Sequence, residues 1–273
     1  MIYVKTEKMV KSFDGTSLYA SKLIPATVKA TVVIVHGLAE HLGRYDELAN
    51  TFAENNFAVY RFDLRGHGKS EGQRAYFSKF TVLIEDVKFI VEMARNELPQ
   101  VPLFVLGHSL GGFASAGFGS KYPNKADGII LSGALTNDNK GLIRSVPQGL
   151  AVTDYLPNEL GHLICTDSSV VAAYQNDPLV LTQISAGLFY EIDSGVQWLK
   201  NNTHSFVAPT LILHGCDDQL VMEKDSRDFY GDIASTDKEL KIYAKLYHEI
   251  LNEPSKHEIM KDIITWIKKR INV

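Results

Sequence analysis

Several classes of protein are excluded by what this sequence lacks. No run approaches the roughly 18 consecutive apolar residues of a membrane-spanning helix. Cysteine is scarce, and Cys165 and Cys216 alone do not make the framework of a disulfide-rich secreted domain. The net charge is −4 with no basic stripe, which argues against nucleic acid as a partner. The segment Met1–Lys8 is charged and lacks the apolar region of a signal peptide, so we expect a cytoplasmic protein.

The composition is that of one large folded domain. With 273 residues, of which 45% are hydrophobic, the chain can bury a sizeable core. Strand and helix patterns alternate, which predicts an α/β fold with a mostly parallel eight-stranded sheet and helices on both faces. The predicted strands are 3–13, 17–23, 31–35, 58–63, 102–107, 128–132, 209–213 and 239–243, the first two forming a hairpin around Asp14-Gly15. The predicted helices are 45–55, 81–96, 111–122, 223–234 and 255–270.

Residues 107–111 have the sequence Gly-His-Ser-Leu-Gly and directly follow a predicted strand. This G-x-S-x-G pattern between a strand and a helix is typical of a nucleophile elbow. Glycines at 107 and 111 permit the sharp turn, because side chains there would clash, and the serine is held in a strained conformation. We therefore predict Ser109 as a nucleophile, the alternative being a tight turn with a passive serine.

Two later predicted strands are each followed by a group that such a serine needs. Asp217 and Asp218 follow the first of them, and His248 follows the second. A histidine can take the proton of the hydroxyl, and a carboxylate fixes the tautomer of that histidine. Both aspartates are candidates, and the pattern H-G-x-x-D, which begins at His214, favours Asp218. The order Ser109, Asp218, His248 resembles that of the α/β-hydrolase fold.

Two backbone amides are candidates for an oxyanion hole. In this fold, one amide after the third strand and the amide after the nucleophile together stabilise the negative oxygen of the reaction intermediate. In this chain they are the N–H groups of Leu38 and Leu110. Their side chains are expected to line an apolar acyl site, to pack in the core, or to do both.

Other ligand-binding motifs are excluded because the residues they require do not stand at the required positions. Residues 68–70 (Gly-Lys-Ser) resemble the end of a phosphate-binding loop, but the glycine required earlier in that motif is replaced by Asp63. Gly66, Gly68 and Gly72 resemble a dinucleotide fingerprint, but the third glycine comes one position too late. The histidines are scattered, and their spacing does not suit a metal site. We therefore expect neither a cofactor nor a bound metal.

Residues 135–205 interrupt the alternation of strands and helices. The segment is too long for a loop and contains amphipathic pieces, including 167–174 and 184–198. We predict an inserted helical cap (lid) over the carboxyl ends of the strands, with residues 1–134 and 206–273 forming the core domain. Its apolar residues either pack on the core or line an acyl tunnel, and one face is a candidate for transient contact with lipid surfaces. The oligomeric state is left open.

Four segments point to a known family. They are 36–45 (HGLAEHLGRY), 62–72 (FDLRGHGKSEG), 107–112 (GHSLGG) and 174–179 (YQNDPL). Together they resemble the monoacylglycerol lipases and lysophospholipases, which are serine aminopeptidase S33-like members of the α/β-hydrolase superfamily. The resemblance implies that a small-molecule carboxylic ester is cleaved through an acyl-enzyme, releasing a fatty acid and glycerol without a cofactor. It also implies that Glu40, Arg44 and Tyr174 lie around the polar, glycerol end of the site.

Some alternatives remain open at this stage. Glu40 and Arg44 follow the oxyanion loop at helical spacing, so a structural ion pair fits them as well as contact with glycerol does. Leu251 stands where some family members have a second histidine, which makes the glycerol end less polar in this chain. A carboxylesterase for other small or aromatic, hydroxycinnamate-type esters is the alternative function. A non-catalytic binding protein with the hydrolase fold is more remote.

Overall fold

A computed structural model describes residues 3–147 and 149–271 of the chain. In this part the strands are β1 (Tyr3–Lys11), β2 (Ser17–Pro25), β3 (Ala30–Val35), β4 (Phe57–Phe62), β5 (Leu103–His108), β6 (Gly128–Ser132), β7 (Tyr155–Pro157), β8 (Gln183–Ser185), β9 (Thr210–Gly215) and β10 (Lys238–Tyr243). The helices are α1 (Asp46–Glu54), α2 (Thr81–Glu97), α3 (Ser109–Lys121), α4 (Ser168–Asn176), α5 (Ala186–Asn202), α6 (Glu223–Asp232) and α7 (Lys256–Ile271). Among the described residues, none of these helices has the length and hydropathy needed to cross a membrane.

Eight of the strands form one sheet, in the order β1-β2-β4-β3-β5-β6-β9-β10. β2 pairs antiparallel with β1 and β4, and the other neighbours pair in parallel. The five central parallel strands are buried along their whole length, as expected for a sheet that is covered on both faces. The predicted mostly parallel sheet is therefore confirmed.

Helices cover both faces of this sheet, as predicted. On one face, α1 and α7 pack against the strands around Phe52, Phe104 and Trp266. On the other face, α2, α3, α5 and α6 pack around a larger cluster that includes Phe113 and Phe118. Each such side chain contributes roughly 1.5–3 kcal/mol to folding relative to an exposed one. The two clusters hold the strands in register and so fix the loops at their carboxyl ends.

The first hairpin differs from its prediction at the turn. β1 ends at Lys11, so the predicted strand 3–13 extends too far, and residues 12–16 form the loop. The Ser12 N–H donates to the Thr16 carbonyl at 2.8 Å. The Ser12 hydroxyl donates to the buried carboxylate of Asp86 at 2.6 Å, which takes this residue out of the strand.

The segment between β6 and β9 contains the predicted helical pieces, but also a small sheet that the sequence did not predict. β7 pairs antiparallel with β8 in this segment. Its last helix, α5, belongs to the larger core cluster through Ile192, Val196 and Leu199. A Cβ on Gly195 of α5 would lie only 2.4 Å from the ring of Phe113, so α5 and α3 are in close contact. α5 therefore packs against α3 on the side of the larger cluster.

Candidate active site

Ser109 lies at the sharp turn between β5 and α3. Its φ is +53°, a left-handed value that is rare for a residue with a side chain and costs of order 1–3 kcal/mol. A Cβ on Gly107 would lie 2.3 Å from the carbonyl oxygen of Gly111. A Cβ on Gly111 would lie 2.2 Å from the carbonyl oxygen of Val35. The turn therefore has the geometry expected of the G-x-S-x-G pattern, with a strained serine between two required glycines.

Asp218 and His248 form a buried pair in the loops after β9 and β10. Nδ1 of His248 lies 2.7 Å from Oδ2 of Asp218. The other carboxylate oxygen accepts the backbone N–H groups of Leu220 at 2.8 Å and Val221 at 3.0 Å. The side chain of Asp217 is exposed. The structure thus places Asp218, and not its neighbour, against the histidine.

Each partner changes the pKa of the other. Burial opposes ionisation of Asp218, but the charge of His248, with hydrogen bonds from His248 and His214, holds the pKa of this carboxyl well below its ordinary value. Burial also opposes protonation of His248, but the carboxylates of Asp218, Glu249 and Glu40 raise the pKa of His248 above its ordinary value of 6.5. His248 is therefore a stronger base than a free imidazole, and Asp218 stays ionised near neutral pH.

A second imidazole, His214 at the end of β9, lies behind Asp218. Its Nε2 is 3.0 Å from Oδ2 of Asp218 and 3.0 Å from the carbonyl oxygen of Val221. Both partners are acceptors, so Nε2 carries the proton, and Nδ1 accepts the Ser226 hydroxyl at 2.7 Å. This pattern fixes the orientation of His214 and directs one N–H at the carboxylate.

One cavity joins these groups. Ser109 and His248 both line it, together with Leu38 and Leu110, whose backbone N–H groups are the oxyanion candidates. Most of the remaining wall is apolar and is formed by Leu135, Leu142, Ile143, Leu160, Ile164, Ile192, Leu220 and Val221. Such a wall suits a hydrocarbon chain that lies beside a small number of polar groups.

Glu40 and Arg44 form an ion pair that extends to a third residue. Nη1 of Arg44 lies 2.7 Å from Oε2 of Glu40. The two terminal nitrogens of Arg44 also bind both carboxylate oxygens of Glu249, at 2.5 Å and 2.7 Å. Oε1 of Glu40 in turn accepts the Gly37 N–H at 2.6 Å. The network joins the loop after β3 to the loop that carries His248, so the contacts of Arg44 favour the structural ion pair.

Tyr174 of α4 lies next to this network. Its ring faces the guanidinium of Arg44 at 4.9 Å, and its hydroxyl accepts the side-chain N–H of Asn158 at 2.9 Å. The structure therefore brings together the three residues that the resemblance places at the polar end. Glu40 and Tyr174 line the cavity with Glu249, and Arg44 lies behind this part of the wall.

The loop that carries the histidine is also fastened to the segment between β6 and β9. The Glu249 N–H donates to the Ile164 carbonyl at 2.7 Å. The fully buried carboxylate of Glu253 accepts the backbone N–H groups of Tyr247 at 2.9 Å and Thr166 at 3.1 Å. These contacts restrain the loop on both sides of the histidine.

Three side chains that shape the site were not predicted as part of it, namely His108, His214 and Glu249. The ring of His108 lies 4.6 Å from that of His248 and lines the cavity. Burial, with the nearby His248, lowers the pKa of His108 to about 3, so it stays neutral. The signals in the sequence were position for two of them, because His108 precedes Ser109 and Glu249 follows His248, and the H-G-x-x-D pattern for His214.

Comparison with known proteins identifies the family. The family model described as "Serine aminopeptidase, S33" matches residues 26–255. The monoacylglycerol lipase of Mycolicibacterium smegmatis is 35% identical over 246 residues, which are 88% of each chain. The monoglyceride lipase of Rattus norvegicus is 31% identical, over 95% of this chain and 89% of the relative. The crystal structure of Paleococcus ferrophilus monoacylglycerol lipase has a TM-score of 0.79 at 28% identity and covers 93% of this chain and 99% of that one. Because the matched residues span the whole sheet from β3 onwards and every loop of the site, this chain belongs to the serine aminopeptidase S33 family of α/β-hydrolases.

Proposed function

We propose that this protein is a serine hydrolase that cleaves carboxylic esters through an acyl-enzyme on Ser109. The proposal depends above all on the shared cavity, because the strained serine lines the same largely apolar space as His248, which Asp218 binds from behind. Lipases among the relatives at 31% to 35% identity support ester hydrolysis as the reaction. The monoacylglycerol lipases among them also suggest the substrate.

The steps follow from the protons that each group can hold. Nδ1 of His248 is engaged by Asp218, so Nε2 takes the proton of the Ser109 hydroxyl as the oxygen attacks the ester carbonyl. The tetrahedral intermediate then loses the alcohol, which receives that proton from His248. Water activated by the same imidazole attacks the acyl-enzyme, and the carboxylic acid leaves.

The N–H groups of Leu38 and Leu110 are proposed to stabilise the oxyanion. Leu110 lies in the first turn of α3, where backbone N–H groups have no partner within the helix and the helix dipole is positive. Gly37 holds the other loop against the elbow, since a Cβ there would lie 3.1 Å from the Cβ of Ser109. Loss of one such donor costs about 10²–10³ in kcat.

The proposed substrates are monoacylglycerols, cleaved to a fatty acid and glycerol. Most of the wall is apolar and suits an acyl chain, and Glu40, Tyr174 and Glu249 line the same cavity as candidates to bind the glycerol. A triacylglycerol would bring two further chains against these polar groups, and burying them against hydrocarbon is unfavourable. We therefore expect monoacylglycerols to be cleaved much faster than triacylglycerols.

The segment that covers the cavity is proposed to be residues 135–205, in which α5 lines the cavity through Ile192 and also packs against α3. Its residues Leu142, Ile143, Leu160 and Ile164 line the cavity and so should determine acyl-chain preference. Ile143→Trp should then lower turnover of long-chain esters more than turnover of an acetate ester. Equal losses on both would indicate damage to the fold.

The test of the proposal is Ser109→Ala with a panel of esters. A serine-reactive fluorophosphonate should label the wild-type protein once and should not label S109A, which should lose ester hydrolysis while keeping its circular dichroism. Ser194→Ala is the matched control, because Ser194 is an exposed serine on α5. The panel contains mono- and triacylglycerols and hydroxycinnamate esters. Labelling of S109A would reject the nucleophile, and preference for hydroxycinnamates over every monoacylglycerol would indicate a general carboxylesterase.

A further inference from the structure

The polar side of the cavity has an unbalanced charge. Glu40 and Glu249 line the wall, whereas Arg44, which binds both, is not among the lining residues. Within the described part of the chain, the residues that line this cavity include two carboxylates and no lysine or arginine. A molecule in the cavity therefore lies next to Glu40 and Glu249, and Arg44 lies outside the lining.

The carboxylates of this network also outnumber its positive groups. One guanidinium serves two carboxylates, which leaves one negative charge in the network, and Asp218 adds another behind His248. Burial opposes ionisation of Glu40, but the attraction of Arg44 lowers the pKa of Glu40 to about 2, so it is ionised at neutral pH. His108 on the same wall is kept neutral by burial and does not offset these charges.

These carboxylates lie where the alcohol part of an ester must be. His248 hands its proton to the leaving alcohol, so the alcohol lies on the histidine side of the cavity. Glu249 is the residue next to His248, and Arg44 holds it against Glu40. The apolar wall described above suits the acyl chain, which leaves the carboxylate side for the alcohol.

We propose that Glu40 and Glu249 together select the alcohol by its charge. Esters of neutral and cationic alcohols are accepted, and esters of anionic alcohols, including lysolipids with a negatively charged phosphate headgroup, are rejected. This inference rests on the proposed ester hydrolysis. It narrows the range of proposed substrates, because monoacylglycerols are accepted and lysophosphatidic acids are rejected. Repulsion at close range in a partly buried site is strong enough to change kcat/KM by at least about tenfold.

The test compares esters of one acyl chain that differ mainly in charge. Octanoyl esters of glycerol and of glycerate form a neutral and anionic pair, in which a carboxylate replaces a CH₂OH group. Octanoyl esters of 3,3-dimethylbutanol and of choline form a neutral and cationic pair of nearly equal shape. We expect kcat/KM for the glycerate ester to be at least about tenfold below that for the glycerol ester, while the choline ester is cleaved at least as well as its neutral partner.

The variant Glu249→Gln removes one charge and keeps the size of the side chain. It should raise the glycerate-to-glycerol ratio of kcat/KM about tenfold and lower the choline-to-dimethylbutyl ratio. Because each ratio is compared between two proteins, the intrinsic reactivity of the esters cancels. Glu258→Gln on the exposed start of α7 is the matched control and should leave both ratios unchanged.

Three outcomes overturn the inference, and a fourth points to a different failure. Equal hydrolysis of the glycerol and glycerate esters by the wild-type protein contradicts charge selection directly, and this result does not depend on how E249Q folds. Slower cleavage of the choline ester than of its neutral partner by the wild-type protein also contradicts charge selection. A fall in activity by the same factor on all four esters in E249Q means that Glu249 only holds Arg44 in place. No hydrolysis of any ester by the wild-type protein means that the proposed function itself is wrong.

Discussion

His214 and His248 direct their N–H groups at the same oxygen of Asp218. Nδ1 of His248 lies 2.7 Å and Nε2 of His214 lies 3.0 Å from Oδ2. The carboxylate is thus fixed from two sides, while its other oxygen is held by the backbone of Leu220 and Val221. His214 does not reach the cavity wall, so we regard it as a positioning residue that orients the acid.

Removing the second imidazole should weaken the orientation of the acid. His214→Phe should lower kcat about tenfold to a hundredfold, since a hydrogen bond to a charged group contributes about 1.5–3 kcal/mol. With one donor fewer, more negative charge remains on Asp218, so the pKa of His248 and the acidic limb of the kcat/KM profile should move to higher pH. His214→Gln keeps a side-chain N–H, so its loss of kcat and its shift of the pH profile should both be smaller than those of His214→Phe. A uniform loss of activity with an unmoved pH profile would mean that His214 only packs.

The two adjacent aspartates should differ greatly in importance. Asp218→Asn removes the carboxylate that binds Nδ1 of His248 and should lower kcat by about 10⁴-fold, because the imidazole loses its required tautomer. Asp217→Asn changes an exposed side chain and should stay within about twofold of the wild type. Kinetics on a single ester would check this, and the reverse ranking would contradict the assignment of the acid.

The pH profile should report the raised pKa of His248. Burial lowers that pKa, but Asp218, Glu249 and Glu40 raise it more, while His108 beside it is neutral. The base must be neutral to accept a proton, so kcat/KM should fall as the pH drops through a midpoint above 6.5. E249Q should move this midpoint to lower pH. A wild-type midpoint well below the ordinary value for histidine would show that burial outweighs the carboxylates.

Two glycines should respond oppositely to alanine. Gly111→Ala places a Cβ 2.2 Å from a carbonyl oxygen of β3, so it should destabilise the fold by about 1–3 kcal/mol or more and remove activity. Gly231→Ala, in the last turn of α6, meets nothing within 4 Å and should be neutral or stabilise by up to about 1 kcal/mol. Denaturant unfolding of both variants measures the difference. Normal stability of G111A would contradict the close approach of the elbow to β3.

The sheet was predictable because its signals are local. A buried parallel strand is a short apolar run between turn residues, and the bounds of β5 and β6 follow from such runs. β7 and β8 were missed because they are too short for an alternating pattern to be recognised. The packing of α5 against α3 could not be predicted, because an amphipathic pattern predicts an apolar face without indicating which element that face contacts.

The site was predictable only in part, for a similar reason. Ser109 could be identified from its neighbours, since the turn itself requires glycine at fixed offsets. Glu249 could not, because its partner Arg44 is 205 residues away in the sequence, and a charge in a loop is ordinarily solvated. The resemblance placed Glu40 and Arg44 at the polar end, but only their geometry indicates that both terminal nitrogens of Arg44 bind carboxylates.

The hydrogen bonds of the loop that carries His248 determine which part of the cavity wall can move. Residues 164–166 are hydrogen-bonded to the loop that carries His248. Moving these residues outward would therefore displace the catalytic base. The described hydrogen bonds within residues 142–146 are local ones, reaching back no further than Asp138. We expect long acyl chains to enter by displacing Leu142 and Ile143. Entry of the substrate would then leave the loop that carries His248 in place, so we expect higher solvent viscosity to slow entry without altering the chemical step.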